Sequence, residues 1–178
     1  MPLSDFLNAR LLRLAAAGLI VLLPACAGDT LQTAQPSFYR SLAHQGAVLD
    51  ADAAASMISG YRQNNGLGTV TLDPELMRLA EAQSRAMAAR DKLDHSVAGS
   101  FKERMRGSGY DAAAAVENVS AGYHTLAEAF SGWRDSAPHR ANMLHRSATR
   151  MGIAAVYSPT SKYKVFWTLI MAAPARSS

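Results

Sequence analysis

The chain has 178 residues, of which 49% are apolar, 18% are charged and 7% are aromatic. This length and composition favour one globular domain and exclude a disordered or collagen-like chain. The formal net charge is +4, but the basic residues are dispersed along the chain, so the charge does not indicate a nucleic-acid partner. Cys26 is the only cysteine, so no disulfide and no thiolate metal site can stabilise the domain.

An apolar block near the N-terminus predicts an export signal. It follows Arg10 and Arg13 and runs for about 12 residues from Leu14 to Ala25, whereas a membrane-spanning helix needs about 20. We therefore expect residues 1–25 to be a leader that is removed, rather than a transmembrane segment.

The end of this leader resembles the lipobox of bacterial lipoproteins, in which a cysteine is diacylated and becomes the new N-terminus. The residues that carry the resemblance are Leu23-Pro24-Ala25-Cys26. Cys26 is therefore the expected lipidation site, and a membrane is the expected partner through it. The same residues followed by Ala27 also fit an ordinary A-x-A cleavage site, which would give a soluble secreted product.

A polar tether is predicted to follow the leader over residues 26–46, because this stretch lacks a periodic apolar pattern. The folded domain is then expected over residues 47–174. Its first helix is predicted at about residues 51–64, where apolar side chains share one face and Asn65-Gly66 supplies a helix stop.

Three further helices are indicated by their start signals. Asp73-Pro74-Glu75 combines an N-cap with a proline in the first turn, and the helix that it opens runs to about Arg90. Two capping boxes, Ser100-x-x-Glu103 and Thr125-x-x-Glu128, open helices at about residues 101–107 and 126–135.

Strands are predicted by alternating apolar residues. A short strand covers residues 69–72, and two longer ones, starting at Met151 and at Val165, flank a turn at residues 158–161 and form a hairpin. Helices come first and strands later, without βαβ alternation, so the pattern predicts an α+β domain with an antiparallel sheet.

The common local enzyme motifs are absent from the sequence. None of the five histidines forms H-E-x-x-H, and the chain has no G-x-S-x-G, P-loop or dinucleotide-binding pattern. Ser136 could in principle act as a nucleophile with a histidine base, but it precedes Ala137-Pro138, and a serine at a helix end explains it more simply. No catalytic residue is assigned.

Several separated signatures occur instead in one order along the chain. They are Tyr61-Arg62 before Gly66-Leu67, the turn from Leu93 to His95, Glu117-Asn118, the block from Trp133 to Leu144, and Phe166-Trp167. This order resembles the CAP superfamily of cysteine-rich secretory proteins, antigen 5 and pathogenesis-related 1 proteins, and most closely its bacterial SCP-like members. The resemblance implies a three-layer α-β-α sandwich with a central cleft, in agreement with the α+β pattern.

The resemblance also implies a metal-ligand set, because two histidines and two acidic residues line the cleft in this family and some members bind a divalent metal there. Carried over by motif, His95 is the first histidine, Glu117 the acid and His139 the second histidine. Ser136 stands where many eukaryotic members have the second acid. The resemblance to the bacterial members gives Glu128, one turn before Trp133, as that acid, although its capping box explains it without a ligand role. The expected metal is Zn²⁺ or another divalent cation.

Three functions remain open from the sequence. The cleft, with Asn118 and Ser136 as further lining residues, could bind a lipid, a sterol-like molecule or a peptide. An open metal site could alternatively activate water and hydrolyse cell-envelope peptides or glycans. An acid–imidazole network could also serve structure alone, in a module whose role is interaction. The expected location is the cell envelope, on the periplasmic or extracellular side.

Overall fold

The structure is a computed structural model that describes residues 35–175. The predicted leader, Cys26 and the first part of the predicted tether lie outside the described residues. Within them, no helix is long and apolar enough to cross a bilayer.

Five α-helices and four strands make up the described part of the chain. In chain order they are α1 (Ala51–Asn64), β1 (Thr71–Leu72), α2 (Pro74–Arg90), α3 (Phe101–Gly107), β2 (Ala112–Ala121), α4 (Leu126–Asp135), α5 (Ala137–Met143), β3 (Arg150–Tyr157) and β4 (Val165–Pro174). The four predicted helices and the C-terminal hairpin are confirmed, whereas β2 and α5 were not predicted.

The helices begin where the capping residues place them. Asp73 accepts hydrogen bonds from the backbone N–H groups of Glu75 and Leu76 at the start of α2. Both predicted capping boxes are present, one opening α3 and the other opening α4. Each box satisfies two backbone N–H donors that a helix start otherwise leaves unpaired. The capping boxes therefore determine the residue at which each of these helices begins.

The four strands form one sheet in the order β1-β3-β4-β2. The pair β3–β4 is antiparallel, as the predicted hairpin requires, and the unpredicted strand β2 also pairs with β4 in antiparallel fashion, while β1 pairs with β3 in parallel over two residues only. The central strand β4 is buried over almost its whole length. Because strand residues alternate between faces, β4 supplies apolar side chains to both sides of the sheet.

Helices cover both faces of the sheet and produce three layers. On one face, Ile170 of β4 packs in a cluster with Leu79 of α2. On the other face, Leu169 of β4 belongs to the largest cluster, with Ile58 of α1 and Trp133 of α4. The structure is therefore the predicted three-layer α-β-α sandwich.

Residues 35–46 differ from the predicted polar tether, because they lie against the domain. They contain a 3-10 helix, Ser37–Tyr39. Leu42 is 7% exposed in the main core cluster, and its N–H donates to the carbonyl of His124 at 2.7 Å. An apolar side chain in an otherwise polar stretch is enough to attach it, so the packed domain starts before residue 47.

Strand β2 escaped prediction because its first half is Ala112–Ala115, and alanine is a poor strand former. Nine residue pairs with β4 nevertheless hold β2 in the sheet. Here tertiary pairing overrides local propensity.

Arg62, at the end of α1, is buried to 1% exposure and has no acidic partner within hydrogen-bond distance among the described residues. Its guanidinium donates instead to four carbonyl oxygens, of Gly68, Met143, His145 and Ala148, at 2.8 to 2.9 Å. Burial lowers the pKa of Arg62 from its usual value. These bonds tie α1 to the connection between α5 and β3.

Gly152 of β3 is expected to tolerate no side chain. A Cβ atom there would lie 2.1 Å from the carbonyl carbon of Leu76, and backbone cannot move aside as a flexible side chain can. Gly152→Ala should lower the free energy of unfolding by roughly 1–3 kcal/mol or more. Gly60→Ala in α1 is the matched control: no atom lies within 4 Å of the added methyl, and we expect no loss of stability. Denaturant unfolding of both variants checks this, and equal effects would contradict it.

Candidate functional site

The residues that the sequence analysis singled out meet at the β2 edge of the sheet. Glu117 and Asn118 are neighbours on β2, and their side chains lie on opposite faces because strand residues alternate. Glu117 contacts the layer of α2 and α3, whereas Asn118 contacts α5. Elements of both helical layers therefore converge on two consecutive residues. We call His95, Glu117 and His139 the His–Glu site.

Both carboxylate oxygens of Glu117 are engaged. The Glu117 side chain is 2% exposed. Its Oε1 lies 2.9 Å from His95 Nδ1, and its Oε2 accepts a hydrogen bond from Arg104 Nη2 at 2.7 Å. Because a carboxylate can only accept, His95 Nδ1 is the protonated nitrogen and donates to it.

Arg104 is the partner that neutralises Glu117, and its side chain is only 7% exposed. Its Nη2 also donates to the carbonyl of His95, and its Nε donates to the carbonyl of Gly99, both at 3.2 Å. The guanidinium lies over the ring of Phe101, with 5.4 Å from Cζ to the ring centroid. One arginine therefore joins α3, the loop before it and β2.

His95 differs from its partners because its side chain is 53% exposed. The hydrogen bond to Glu117 raises the pKa of His95, against the smaller opposing effects of desolvation and of the Arg104 charge. With Nδ1 directed at Glu117, Nε2 is the ring nitrogen that remains for contacts with another molecule.

His139 lies on α5, which two asparagines hold against β2. Asn118 Nδ2 donates to the carbonyl of His139 at 3.0 Å. Asn142 Nδ2 donates to Asn118 Oδ1 at 2.8 Å and to the carbonyl of Glu117 at 3.0 Å. The pKa of His139 is lowered, first by burial and then by the charge of His95.

The two remaining candidates have local structural roles. The carboxylate of Glu128 accepts hydrogen bonds from the backbone N–H groups of His124 and Thr125 at 2.6 and 3.1 Å, and it completes the capping box of α4. Ser136 is the half-buried residue between α4 and α5, and its side chain makes no capping hydrogen bond. The structure thus pairs His95 with Glu117, and Asn118 and Asn142 hold the helix that carries His139 against the same strand.

The site does not fit a metal centre with three protein ligands. Across residues 35–175 no group of three or more His, Cys, Asp or Glu side chains is placed to hold a metal ion. Glu117 uses one oxygen for His95 and the other for Arg104, and an open zinc site requires three protein ligands. Glu117 instead orients His95, as an acidic partner beyond a ligand would.

The fold and this site agree with the comparison to known proteins. A family model described as the cysteine-rich secretory protein family, CAP, matches residues 55–171. The chain belongs to the CAP family. The matched range contains all three residues of the His–Glu site, so the site is part of the CAP domain.

Individual relatives of this CAP domain are distant. The uncharacterized protein YkwD of Bacillus subtilis is 28% identical over 153 residues, which cover 73% of this chain and 60% of that protein. The chain therefore spans less than two thirds of that relative's length.

Two solved structures share the fold. An extracellular protein containing an SCP domain from Bacillus anthracis is 21% identical, with a TM-score of 0.60, over 68% of this chain and 39% of that one. An outer surface protein from Borrelia burgdorferi is 14% identical, with a TM-score of 0.64, over 71% of this chain and 93% of that one. At these identities the likeness establishes the CAP fold.

Arg104 is the functional-site residue of this CAP domain that the sequence analysis missed. A signal was present: α3 buries Met105 and half-buries Phe101, and Arg104 follows Phe101 by three residues, so the two share a helix face. An arginine on the inward face of a short helix needs an acidic or carbonyl partner.

We expect the pKa of His95 to lie above the ordinary histidine value of about 6.5 and to fall when Glu117 is replaced by Gln. Because the folded-state pKa is raised, protonated His95 stabilises the fold fully below the unfolded pKa. This stabilisation is lost as the pH rises through the folded pKa. NMR titration of the imidazole signals in wild type and Glu117→Gln measures the change.

Asp94→Asn is the control for this titration, because the charge of Asp94 is the weakest of the influences on His95. It should lower the pKa less than Glu117→Gln does. A pKa that is the same in wild type and Glu117→Gln would contradict the assignment of the Glu117 hydrogen bond as the main cause.

Proposed function

We propose that the protein is an exported, lipid-anchored CAP-domain protein whose His–Glu site binds a ligand: a lipid, a sterol-like molecule or a peptide. The observation that carries the proposal is the combination of an exposed His95 imidazole with a buried support. The His95 side chain is 53% exposed, while the carboxylate that orients it is 2% exposed. A purely structural histidine would be buried with both ring nitrogens paired.

Preorganisation of this kind suits recognition. His95 is fixed by Glu117, and α5, which carries His139, is fixed by Asn118 and Asn142. Two imidazoles held by separate networks can contact one polar group of a ligand with little loss of side-chain conformational entropy on binding. The ligand's apolar part, if it has one, needs no enclosed cavity at the site, because only its polar group has to reach the histidines.

The alternative, a metal-dependent hydrolase acting on cell-envelope peptides or glycans, has no observation in its favour. It would require a three-ligand metal site, and Glu117 is committed to Arg104 and His95. Zinc dependence is therefore not part of the proposed function.

An envelope location is proposed from two observations. The sequence carries an apolar leader that ends in Leu23-Pro24-Ala25-Cys26, which fits lipoprotein processing. The two structural relatives are described as an extracellular protein and an outer surface protein. Both observations favour attachment to the envelope, on the periplasmic or extracellular side.

Ligand binding should depend on His139. We would titrate the processed protein with decanoate, cholesterol sulfate and an alanine tripeptide, which represent the three ligand classes, and follow the imidazole NMR signals. At least one class is expected to shift the signals of both His95 and His139. His139→Ala should weaken that binding by tenfold or more, since one imidazole hydrogen bond to a polar group contributes about 1.4 kcal/mol.

His124→Ala is the matched control, because His124 is exposed and makes no side-chain hydrogen bond among the described residues. It should bind like wild type. If no probe shifts the signals of His95 and His139 at millimolar concentration, ligand binding at the His–Glu site is wrong and a structural or interaction role takes its place.

Membrane attachment should depend on Cys26, which lies outside the described residues. Cys26→Ser should move the protein from the membrane fraction to the soluble fraction, or leave it unprocessed, because serine cannot carry the thioether-linked lipid. Fractionation and mass spectrometry of the mature N-terminus check this. Unchanged cleavage with a soluble wild-type product would show that the A-x-A site is used instead.

A further inference from the structure

We propose that Arg104 is the resident cation of the His–Glu site. Its guanidinium pairs with the Glu117 carboxylate in place of a divalent metal ion, and the site is therefore independent of metal. The inference rests on the proposed function for its biological meaning. Its test, however, uses zinc alone and does not require the ligand to be known.

The ion pair between Arg104 and Glu117 is the first step of the argument. Its N···O distance is 2.7 Å, and the two side chains are 7% and 2% exposed. A pair this well buried is hard to open, because removing either partner leaves the other charge buried and uncompensated. A divalent cation at Glu117 would have to displace the guanidinium or share the carboxylate with it at close range.

The second step concerns the remaining ligands. Glu117 Oε1 is paired with His95 Nδ1 and Oε2 with Arg104, so a metal ion at either oxygen would compete with a hydrogen bond that is already present. Only the imidazoles of His95 and His139 then remain at the site, fewer than the three protein ligands of an open zinc centre. Ser136 and the capping role of Glu128 supply no replacement.

The third step is that the surrounding backbone fixes the position of Arg104. The capping box of Ser100 and Glu103 fixes the start of α3 at Phe101, three residues before Arg104. The carbonyls of His95 and Gly99 accept two more hydrogen bonds from the guanidinium. Arg104 is thus a positioning residue: it fixes Glu117, which orients His95 and turns Nε2 of His95 outward.

Zinc titration of the processed protein, followed by the thermal unfolding midpoint, tests the proposal. In wild type, zinc should either leave the unfolding midpoint unchanged or raise it by the same amount as in His139→Ala. Arg104→Gln frees Glu117 Oε2 and removes the competing positive charge, so it should gain a rise of more than about 5 °C at saturating zinc, because a ligand that binds only the folded state raises the midpoint. The rise should disappear in Arg104→Gln combined with His139→Ala.

Arg104→Lys is the matched control, since it keeps a cation beside Glu117 and should remain insensitive to zinc. A rise that persists in His139→Ala reflects zinc on other histidines and supports the proposal, because the His–Glu site is then not the one that binds. A wild-type rise abolished by His139→Ala overturns the proposal, whether or not Arg104→Gln folds. So does a folded Arg104→Gln that gains no zinc response.

The two proposals can fail separately. Ligand-induced shifts with a zinc-binding wild type would retain the proposed function and remove the role of Arg104. The reverse result, no ligand with the expected zinc pattern, would leave Arg104 as the cation of a site that serves structure.

Discussion

The burial of the Arg62 guanidinium among four carbonyl oxygens is the constraint on which the position of α5, and so of His139, depends. No acidic side chain among residues 35–175 pairs with it, so backbone dipoles balance its charge and those carbonyls must stay where they are. Two of them belong to Met143 and His145, at the C-terminal end of α5. Asn118 and Asn142 hold the same helix against β2. His139 is therefore fixed through its helix rather than through its own ring.

The two long antiparallel strand pairs of the sheet have different roles. The pairing of β3 with β4 builds the core, and the pairing of β2 with β4 presents Glu117 and Asn118 at an edge. At this edge Glu117 reaches the exposed His95 and the buried Arg104 on one face, and Asn118 reaches α5 on the other. The His–Glu site thus combines a rigid interior with an exposed imidazole, and the combination follows from its position in the sheet.

Much of this architecture could be predicted from the sequence because it depends on local signals. The caps at Asp73, Ser100 and Thr125 are short-range hydrogen bonds, and they fixed three helices. Strand β2 could not be recognised, since the alanines of its first half pair with residues about 60 positions later in the chain. The motif residues His95, Glu117 and His139 were found through the CAP resemblance, but the role of Arg104 depends on a tertiary contact. Glu128 was ambiguous in sequence, and the structure places its carboxylate on backbone donors of its own helix.

The strand order β1-β3-β4-β2 also determines when the site can form during synthesis. The central strand β4 is the last strand of the described chain, and both of its neighbours precede it. A nascent chain that ends before Val165 has no partner for Glu117's strand, and β3 keeps only its two-residue pairing with β1. The sheet is therefore complete only when β4 is present, and the long sequence separation of the β2–β4 pairs slows its formation. The edge strand that carries Glu117 can therefore take its place in the sheet only after β4 has been synthesised.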